Sequence, residues 1–135
     1  MLKMQTRSNW DAFDVIKAIF AFLPKEETVP SSSPVLHETL HSLTLKRKYK
    51  KFLHNYVFDL QSYFPYSREF QTDLINLEQA GLLSSSNPDF IDYMIKDKLR
   101  KTFENHTKGR FTADEIEILK KMSKDFRTKL LSCHT

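Results

Sequence analysis

Glycine, cysteine and long apolar stretches are all scarce in this chain of 135 residues. Its 2 glycines argue against a glycine-rich loop of the kind that cradles phosphates. Its single cysteine, Cys133, has no partner for an intrachain disulfide, which favours a reducing compartment. The apolar stretch from Val15 to Leu23 is interrupted by Lys17 and is too short to span a bilayer. We therefore expect a cytoplasmic protein that has no membrane partner.

Aromatic residues, in contrast, are plentiful. The chain has 11 phenylalanines and 5 tyrosines, which give a hydrophobic core its bulk. The length suits one domain, so we predict a single domain over residues 1–135. Apolar residues recur at helical spacing around most of the segment 10–23, which predicts a central core helix. Only a narrow strip that includes Asp14 and Ala18 is left to face solvent.

Periodicity and turn residues predict the elements that follow Pro24. Ser67 can cap a helix, which Gly81 closes at the usual C-terminal position. Thr112 and Glu115 have the spacing of a capping box at the start of the last helix. The predicted elements are, in order, a loop over 25–33, a helix from 34, a strand over 57–64, a helix over 67–80, a strand or helix over 90–96, and a helix over 112–131.

The segment His37-Glu38-Thr39-Leu40-His41 matches the H-E-x-x-H pattern of zinc peptidases. On a helix, His37 and His41 lie one turn apart on the same face, and both can bind zinc. Glu38 can then act on the bound water, and Glu69 is the candidate third ligand. The alternative is that both histidines are surface residues on a polar helix face. We favour this alternative and expect neither a metal nor another cofactor.

Basic residues occupy five of the six positions from Lys46 to Lys51. On a helix, Lys46, Arg47, Lys50 and Lys51 form an exposed stripe that can clamp phosphates, while Tyr49 stays buried. The same side chains can instead be solvated cations that suit the C-terminal end of a helix. The sequence leaves both interpretations open.

A distinctive pattern extends from Tyr63 to Leu83. Tyr63-Phe64-Pro65-Tyr66-Ser67 is followed by Asp73-Leu74, Leu77-Glu78 and Ala80-Gly81-Leu82-Leu83. This pattern resembles the small bacterial, often phage-associated winged-helix proteins of the Panacea-domain group, which includes the SocA-type antitoxins. The resemblance covers residues 34–100 and implies a winged-helix-like core there. It also implies supporting helices over 34–53, a recognition-type helix over 67–80, and a wing strand over 90–96.

Two features depart from the pattern of that group. Phe64 stands where a glycine is usual. The recognition-type helix is net acidic, because Arg68 is outnumbered by Glu69, Asp73 and Glu78. Acidic side chains repel the phosphates of DNA and suit a protein partner instead. Arg68 is then the candidate DNA contact of this helix, and the three acids are candidate contacts for a protein.

The sequence thus predicts a mainly α domain with a small β-sheet, an α+β class. Its winged-helix-like core over 34–100 has additional N- and C-terminal helices. The favoured function is non-enzymatic, regulatory binding of DNA through Lys46, Arg47, Lys50, Lys51 and Arg68. One alternative is an antitoxin-like module that binds an unidentified protein through Glu69, Asp73 and Glu78. The other is a small zinc metallopeptidase using His37, His41 and Glu69. A homodimer is compatible with each of these functions.

Overall fold

The computed structural model describes residues 9–25, 27–85 and 92–133. Its helices are α1 (Ala12–Ala21), α2 (Ser33–Thr44), α3 (Lys50–Leu53), α4 (Arg68–Gln79), α5 (Asp97–Thr102) and α6 (Ala113–Cys133). Its strands are β1 (Thr28–Pro30), β2 (Leu83–Ser84) and β3 (Asp92–Ile95). A 3₁₀ turn (Arg47–Tyr49) leads into α3, and a π turn (Phe103–Thr107) and a second 3₁₀ turn (Lys108–Arg110) follow α5. The predicted class, mainly helical with a small sheet, is confirmed.

The three strands form one antiparallel sheet with β3 in the centre. Val29 of β1 lies opposite Tyr93, and Leu83 of β2 lies opposite Ile95. The first strand therefore joins the two strands that follow α4. The prediction of a loop over 25–33 was wrong for β1, because three residues are too few to show an alternating pattern.

Helix α1 begins with a capping box in which Asp11 and Asp14 each accept the other's backbone N–H, at 2.9 and 3.1 Å. The solvent strip predicted for this helix is wrong at Asp14 and Ala18, which are buried. A buried carboxylate needs charged partners. Asp14 has two, Arg110 at 2.9 Å and Lys17 at 3.5 Å. Arg110 is remote in sequence, so no local sequence pattern could predict its ion pair with Asp14.

Helix α6 starts with the predicted capping box. The Thr112 N–H donates to the Glu115 carboxylate at 2.9 Å, and the Glu115 N–H donates to the Thr112 hydroxyl at 3.1 Å. The helix then packs against α1 and α2. Phe126 meets Phe20 of α1 edge to face, with centroids 5.9 Å apart. In the described part of the chain, α6 included, no helix combines the length and the apolar character needed to cross a membrane.

The strand predicted over 57–64 does not form. An isolated bridge joins Asp59 and Tyr66 through two backbone hydrogen bonds of 2.7 and 3.2 Å. Alternation failed as a guide here because Phe58 packs against the core but Leu60, two residues on, does not. The side chains of Leu60 and Tyr63 are 65% and 106% exposed.

The helix predicted over 67–80 is present as α4. The Ser67 hydroxyl accepts the Phe70 N–H at 3.2 Å, as expected of an N-cap. Gly81 follows the helix with a φ of 77°, the left-handed conformation that glycine adopts most readily. The ambiguous segment 90–96 forms β3 from residue 92 onward, and residues 90 and 91 lie outside the described residues.

Phe126→Ala should lower the free energy of unfolding by about 3–5 kcal/mol, because its fully buried ring contributes to the contact between α1 and α6. Denaturant unfolding monitored by circular dichroism measures the change. Leu131→Ala is the control, since that side chain is 47% exposed and should matter far less. A loss below about 1 kcal/mol for Phe126→Ala would show that α6 is only loosely attached.

Candidate functional site

His37 connects α2 to the start of α4 and is fully buried, so its predicted place on a polar surface is wrong. Its Nδ1 atom accepts the Ser67 backbone N–H at 3.0 Å. That nitrogen carries no proton, so Nε2 is protonated and donates to the Gln71 side-chain oxygen at 3.0 Å. The ring stacks on Tyr66 with centroids 4.7 Å apart. Burial lowers the pKa of His37, and the hydrogen bond with Gln71 offsets this only in part.

The described residues do not assemble the zinc site that the H-E-x-x-H motif suggested. Both ring nitrogens of His37 are already hydrogen-bonded within the protein. The ring of His41 packs against Phe58, with centroids 5.0 Å apart. Glu69, the candidate third ligand, accepts a hydrogen bond from the Ser67 hydroxyl at 3.1 Å. Across residues 9–25, 27–85 and 92–133, no group of three or more His, Cys, Asp or Glu could hold a metal ion.

Asp73 is half-buried on α4 and contacts the hydroxyl of Tyr56. That hydroxyl also lies 2.9 Å from the carbonyl oxygen of Ala12. Burial raises the pKa of Asp73, the hydrogen bond from Tyr56 opposes the rise, and the charges of Asp11 and Glu69 add to it. When protonated, Asp73 donates to the Tyr56 oxygen and leaves the tyrosine proton for Ala12. The carboxyl group is thus used inside the protein.

The other two acids of α4 also form internal hydrogen bonds. Glu69 accepts the Val57 backbone N–H at 3.1 Å, and this bond is the main cause that lowers the pKa of Glu69. Glu78 accepts the Ser85 hydroxyl at 2.9 Å. Because Glu78 lies five residues beyond Asp73, the two project from different sides of the helix. The three acids predicted to bind a partner therefore do not share one face.

One side of α4 is exposed along its length. Four polar residues at helical spacing define what we term the exposed side of α4: Arg68, Thr72, Asn76 and Gln79. Ile75 lies beside them and is 44% exposed, while Glu69 stands at the edge. The opposite side packs into the core through Phe70, Leu74 and Leu77. The exposed side thus has one cation and three neutral side chains that can form hydrogen bonds.

Sequence reasoning identified Arg68 but missed the three polar residues that follow it on the same side. A signal was present, since positions 72, 76 and 79 share a helix face with Arg68 and avoid the apolar positions. The net acidic charge of the segment concealed it. That charge includes Asp73 and Glu78, which project away from this side.

The basic segment 46–51 does not form one continuous helical stripe. Arg47–Tyr49 is a 3₁₀ turn, and α3 begins only at Lys50. Tyr49 is buried as expected, and its hydroxyl donates to Asp125 of α6 at 2.6 Å. The change of helix type alters which side chains lie side by side, because a 3₁₀ turn has three residues per turn.

Ion pairs engage two of the four cations that were predicted to clamp phosphates. The pairs are Lys46 with Asp125 at 3.4 Å and Lys51 with Glu115 at 2.7 Å. Burial by itself would raise the pKa of Glu115. The hydrogen bonds from Lys51 and from neighbouring groups outweigh burial, so the pKa is lowered. Arg47 and Lys50 are exposed, and neither forms an ion pair with another described residue. These two remain available to an external anion.

No protein-family model, curated protein or solved structure matches this chain. The resemblance of residues 63–83 to the Panacea-domain group therefore stays a prediction. Two surfaces are left to bind a partner: the exposed side of α4, and Arg47 with Lys50 near α3.

Asp73→Asn should leave the free energy of unfolding at neutral pH unchanged or raise it. Because the pKa of Asp73 is raised, the folded state binds this proton more tightly than the unfolded state does. The stabilising effect is therefore present below the ordinary pKa of an aspartate and is lost as pH rises through the folded value. An asparagine amide can donate to Tyr56 at every pH.

Urea unfolding from about pH 4 to about pH 8 tests this, and Asp73→Asn should flatten the pH dependence of stability. Asp114→Asn, at an exposed position on α6, is the control and should keep the wild-type profile. A less stable Asp73→Asn protein with an unchanged pH profile would contradict the assignment.

Proposed function

We propose that this chain is a non-enzymatic DNA-binding module in which α4 contacts base edges in the major groove. The observation that supports the proposal is the chemistry of the exposed side of α4. Arginine, as at position 68, donates two hydrogen bonds to guanine. Asparagine and glutamine, as at 76 and 79, pair with adenine, and a threonine methyl packs against thymine. An α-helix fits the major groove of DNA.

The placement of charge on α4 favours the same function. Asp73 contacts the Tyr56 hydroxyl and projects away from the exposed side of α4. Glu78 is on another side of the helix, where Ser85 donates to it. Of the three acids, only Glu69 stands at the edge of the exposed side of α4, so the net charge of the helix overstates the repulsion there.

Side-chain hydrogen bonds hold α4 at both of its ends. At its C-terminal end, the Lys98 ammonium donates to the carbonyl oxygen of Ala80 at 3.1 Å. The antiparallel strands β2 and β3 follow directly, in the position of a wing. A contact surface held by regular elements positions its side chains more precisely than a loop does. A regulator that recognises a DNA sequence needs such precision.

Arg47 and Lys50 are the proposed phosphate contacts. Both are exposed and free of ion pairs within the described part of the chain. Lys46 and Lys51 contribute less, because binding to phosphate competes with their bonds to Asp125 and Glu115. Contacts of this kind add affinity without sequence preference.

A protein partner is the second candidate, and the segment between α3 and α4 is the observation that favours it. Val57, Leu60 and Tyr63 are large apolar side chains that are 68%, 65% and 106% exposed. Clusters of exposed apolar residues are typical of protein contacts. An antitoxin-like module or a homodimer would use this segment rather than Glu69, Asp73 and Glu78. Sedimentation of the chain with and without Leu60→Ser tests self-association.

Substitutions on the exposed side of α4 should reduce sequence discrimination. Selection from random duplex oligonucleotides yields the preferred site, and titration then compares it with a scrambled duplex. Arg68→Ala and Asn76→Ala should each reduce the discrimination by about 1–3 kcal/mol, because each removes one bidentate base contact. Asn105→Ala, an exposed asparagine on another element, is the matched control. Equal discrimination by all four proteins would refute the role of α4.

Removing the two unpaired cations should weaken the salt dependence of DNA affinity. Each phosphate contact contributes roughly −0.9 to the slope of log affinity against log salt concentration. Arg47→Ala combined with Lys50→Ala should therefore flatten the slope by about two. The control combines Lys108→Ala with Lys120→Ala, which removes the same charge from other elements. An equal change in both proteins would mean that net charge alone sets the slope.

A further inference from the structure

The contact between His37 and Ser67 joins two elements that are far apart in sequence. His37 belongs to α2, and Ser67 is the N-cap of α4. Both residues are fully buried, so water does not replace the 3.0 Å hydrogen bond between them. The Ser67 hydroxyl in turn accepts the Phe70 N–H within α4. One imidazole nitrogen therefore holds the residue at which α4 begins.

Protonation of His37 is incompatible with this contact. A proton that enters from solvent must bind Nδ1, because Nε2 already carries one for Gln71. The Nδ1–H group then faces the Ser67 N–H, and neither group can accept from the other. The hydrogen bond breaks, and a buried donor left without a partner is destabilising. The bond to Gln71 survives, since Nε2 still donates.

The described side chains in contact with the His37 ring include no carboxylate that would stabilise its protonated form. Tyr66 stacks on the ring, and Phe64 and Phe70 contact it edge to face. The titratable groups on the surrounding elements are His41 one turn along α2, Tyr66 in the loop, and Glu69 on α4. Glu69 reaches His37 only through Ser67, whose hydroxyl it binds at 3.1 Å.

We propose that His37 is a proton-sensitive latch that fixes the start of α4, and that its protonation releases the Ser67 N-cap of α4 and weakens DNA binding. The inference rests on the proposed function, since it describes the regulation of the same site. Ser67 directly precedes Arg68, the first residue of the exposed side of α4. A loosened Ser67 therefore displaces the end of the helix that brings its one cation to DNA.

The direction in which pH changes DNA affinity follows from the different proton affinities of the closed and released states. Burial lowers the pKa of His37 in the folded protein, so the unfolded or released state binds the proton more tightly. The latch has its full stability above the ordinary histidine pKa and loses it as pH falls towards the lowered pKa of His37 in the folded protein. DNA favours the closed form. The affinity of the protein for DNA should drop by up to about tenfold for each pH unit of acidification, because one proton is involved.

The experiment measures DNA affinity at constant salt from about pH 7.5 to about pH 5, with random-sequence duplex DNA as the probe. Nuclear magnetic resonance follows the His37 ring and the Ser67 amide over the same range. In the wild type, the affinity, the ring signal and the amide signal should change with a common midpoint. General protonation of surface histidines would instead strengthen binding, because it adds positive charge.

Two variants should alter the midpoint in different ways. His37→Asn keeps an acceptor for Ser67 but does not titrate, so the acid loss of affinity should disappear. Gln71→Glu places a carboxylate beside Nε2, which favours the imidazolium and should move the midpoint to higher pH. His106→Asn changes an exposed histidine and should keep the wild-type midpoint. If His37→Asn fails to fold, Gln71→Glu still provides the test.

Equal pH profiles for the wild type and Gln71→Glu would overturn the latch. A Ser67 amide signal that stays constant while the His37 ring titrates would also overturn it. Absence of DNA binding at every pH would refute the proposed function. The Ser67 amide would then decide the latch by itself, because it reports the release of the Ser67 N-cap without any ligand.

Discussion

Enclosure of α1 fixes the positions of the helices that pack against it, α3, α5 and α6. This helix buries residues around most of its circumference, and apolar burial is the dominant favourable contribution to folding. Polar bonds then fix how its neighbours align. The Ser123 hydroxyl of α6 donates to the Ile19 carbonyl oxygen at 2.6 Å. The Asp14 carboxylate binds Arg110, which precedes α6, so both ends of the contact between α1 and α6 are set.

Helix α4 is held in another way. Its apolar side is narrow, and polar contacts secure both ends. His37 binds Ser67 at the N-terminal end, and Lys98 binds the Ala80 carbonyl oxygen at the C-terminal end. An element fixed at its ends and along one side leaves its remaining surface free for a ligand. That combination suits a surface that must meet a rigid ligand such as duplex DNA.

The two candidate surfaces are the exposed side of α4 and the basic segment 46–51. In both, where the charged side chains lie matters more than how many there are. The acids of α4 are numerous, yet Asp73 contacts Tyr56 and Glu78 lies on another side. The cations before and within α3 are also numerous, yet Lys46 and Lys51 are engaged by carboxylates of α6. A count along the sequence overstates both the acidity of the first surface and the basicity of the second. Partners distant in sequence neutralise or redirect the charged side chains.

The features that the sequence predicted correctly depend on local interactions. A capping box needs only residues three positions apart, so Thr112 with Glu115 was recognisable from spacing. The Ser67 cap and the left-handed Gly81 likewise depend on the preferences of single residues. Helical periodicity identified α1 and α6 because each buries a long apolar surface. The mainly helical class with a small sheet followed from these local signals.

Tertiary structure decided what depends on partners far along the chain. Strand β1 exists because β3 pairs with it, and the segment 57–64 stays irregular because none of the described strands lies beside it. His37 is buried because Ser67 and Gln71, some thirty residues away, supply its hydrogen bonds. The packing of one side of α4 against the core determined which side of the helix is exposed. Spacing along a helix shows which residues share a face, but only the neighbouring elements determine which face meets solvent.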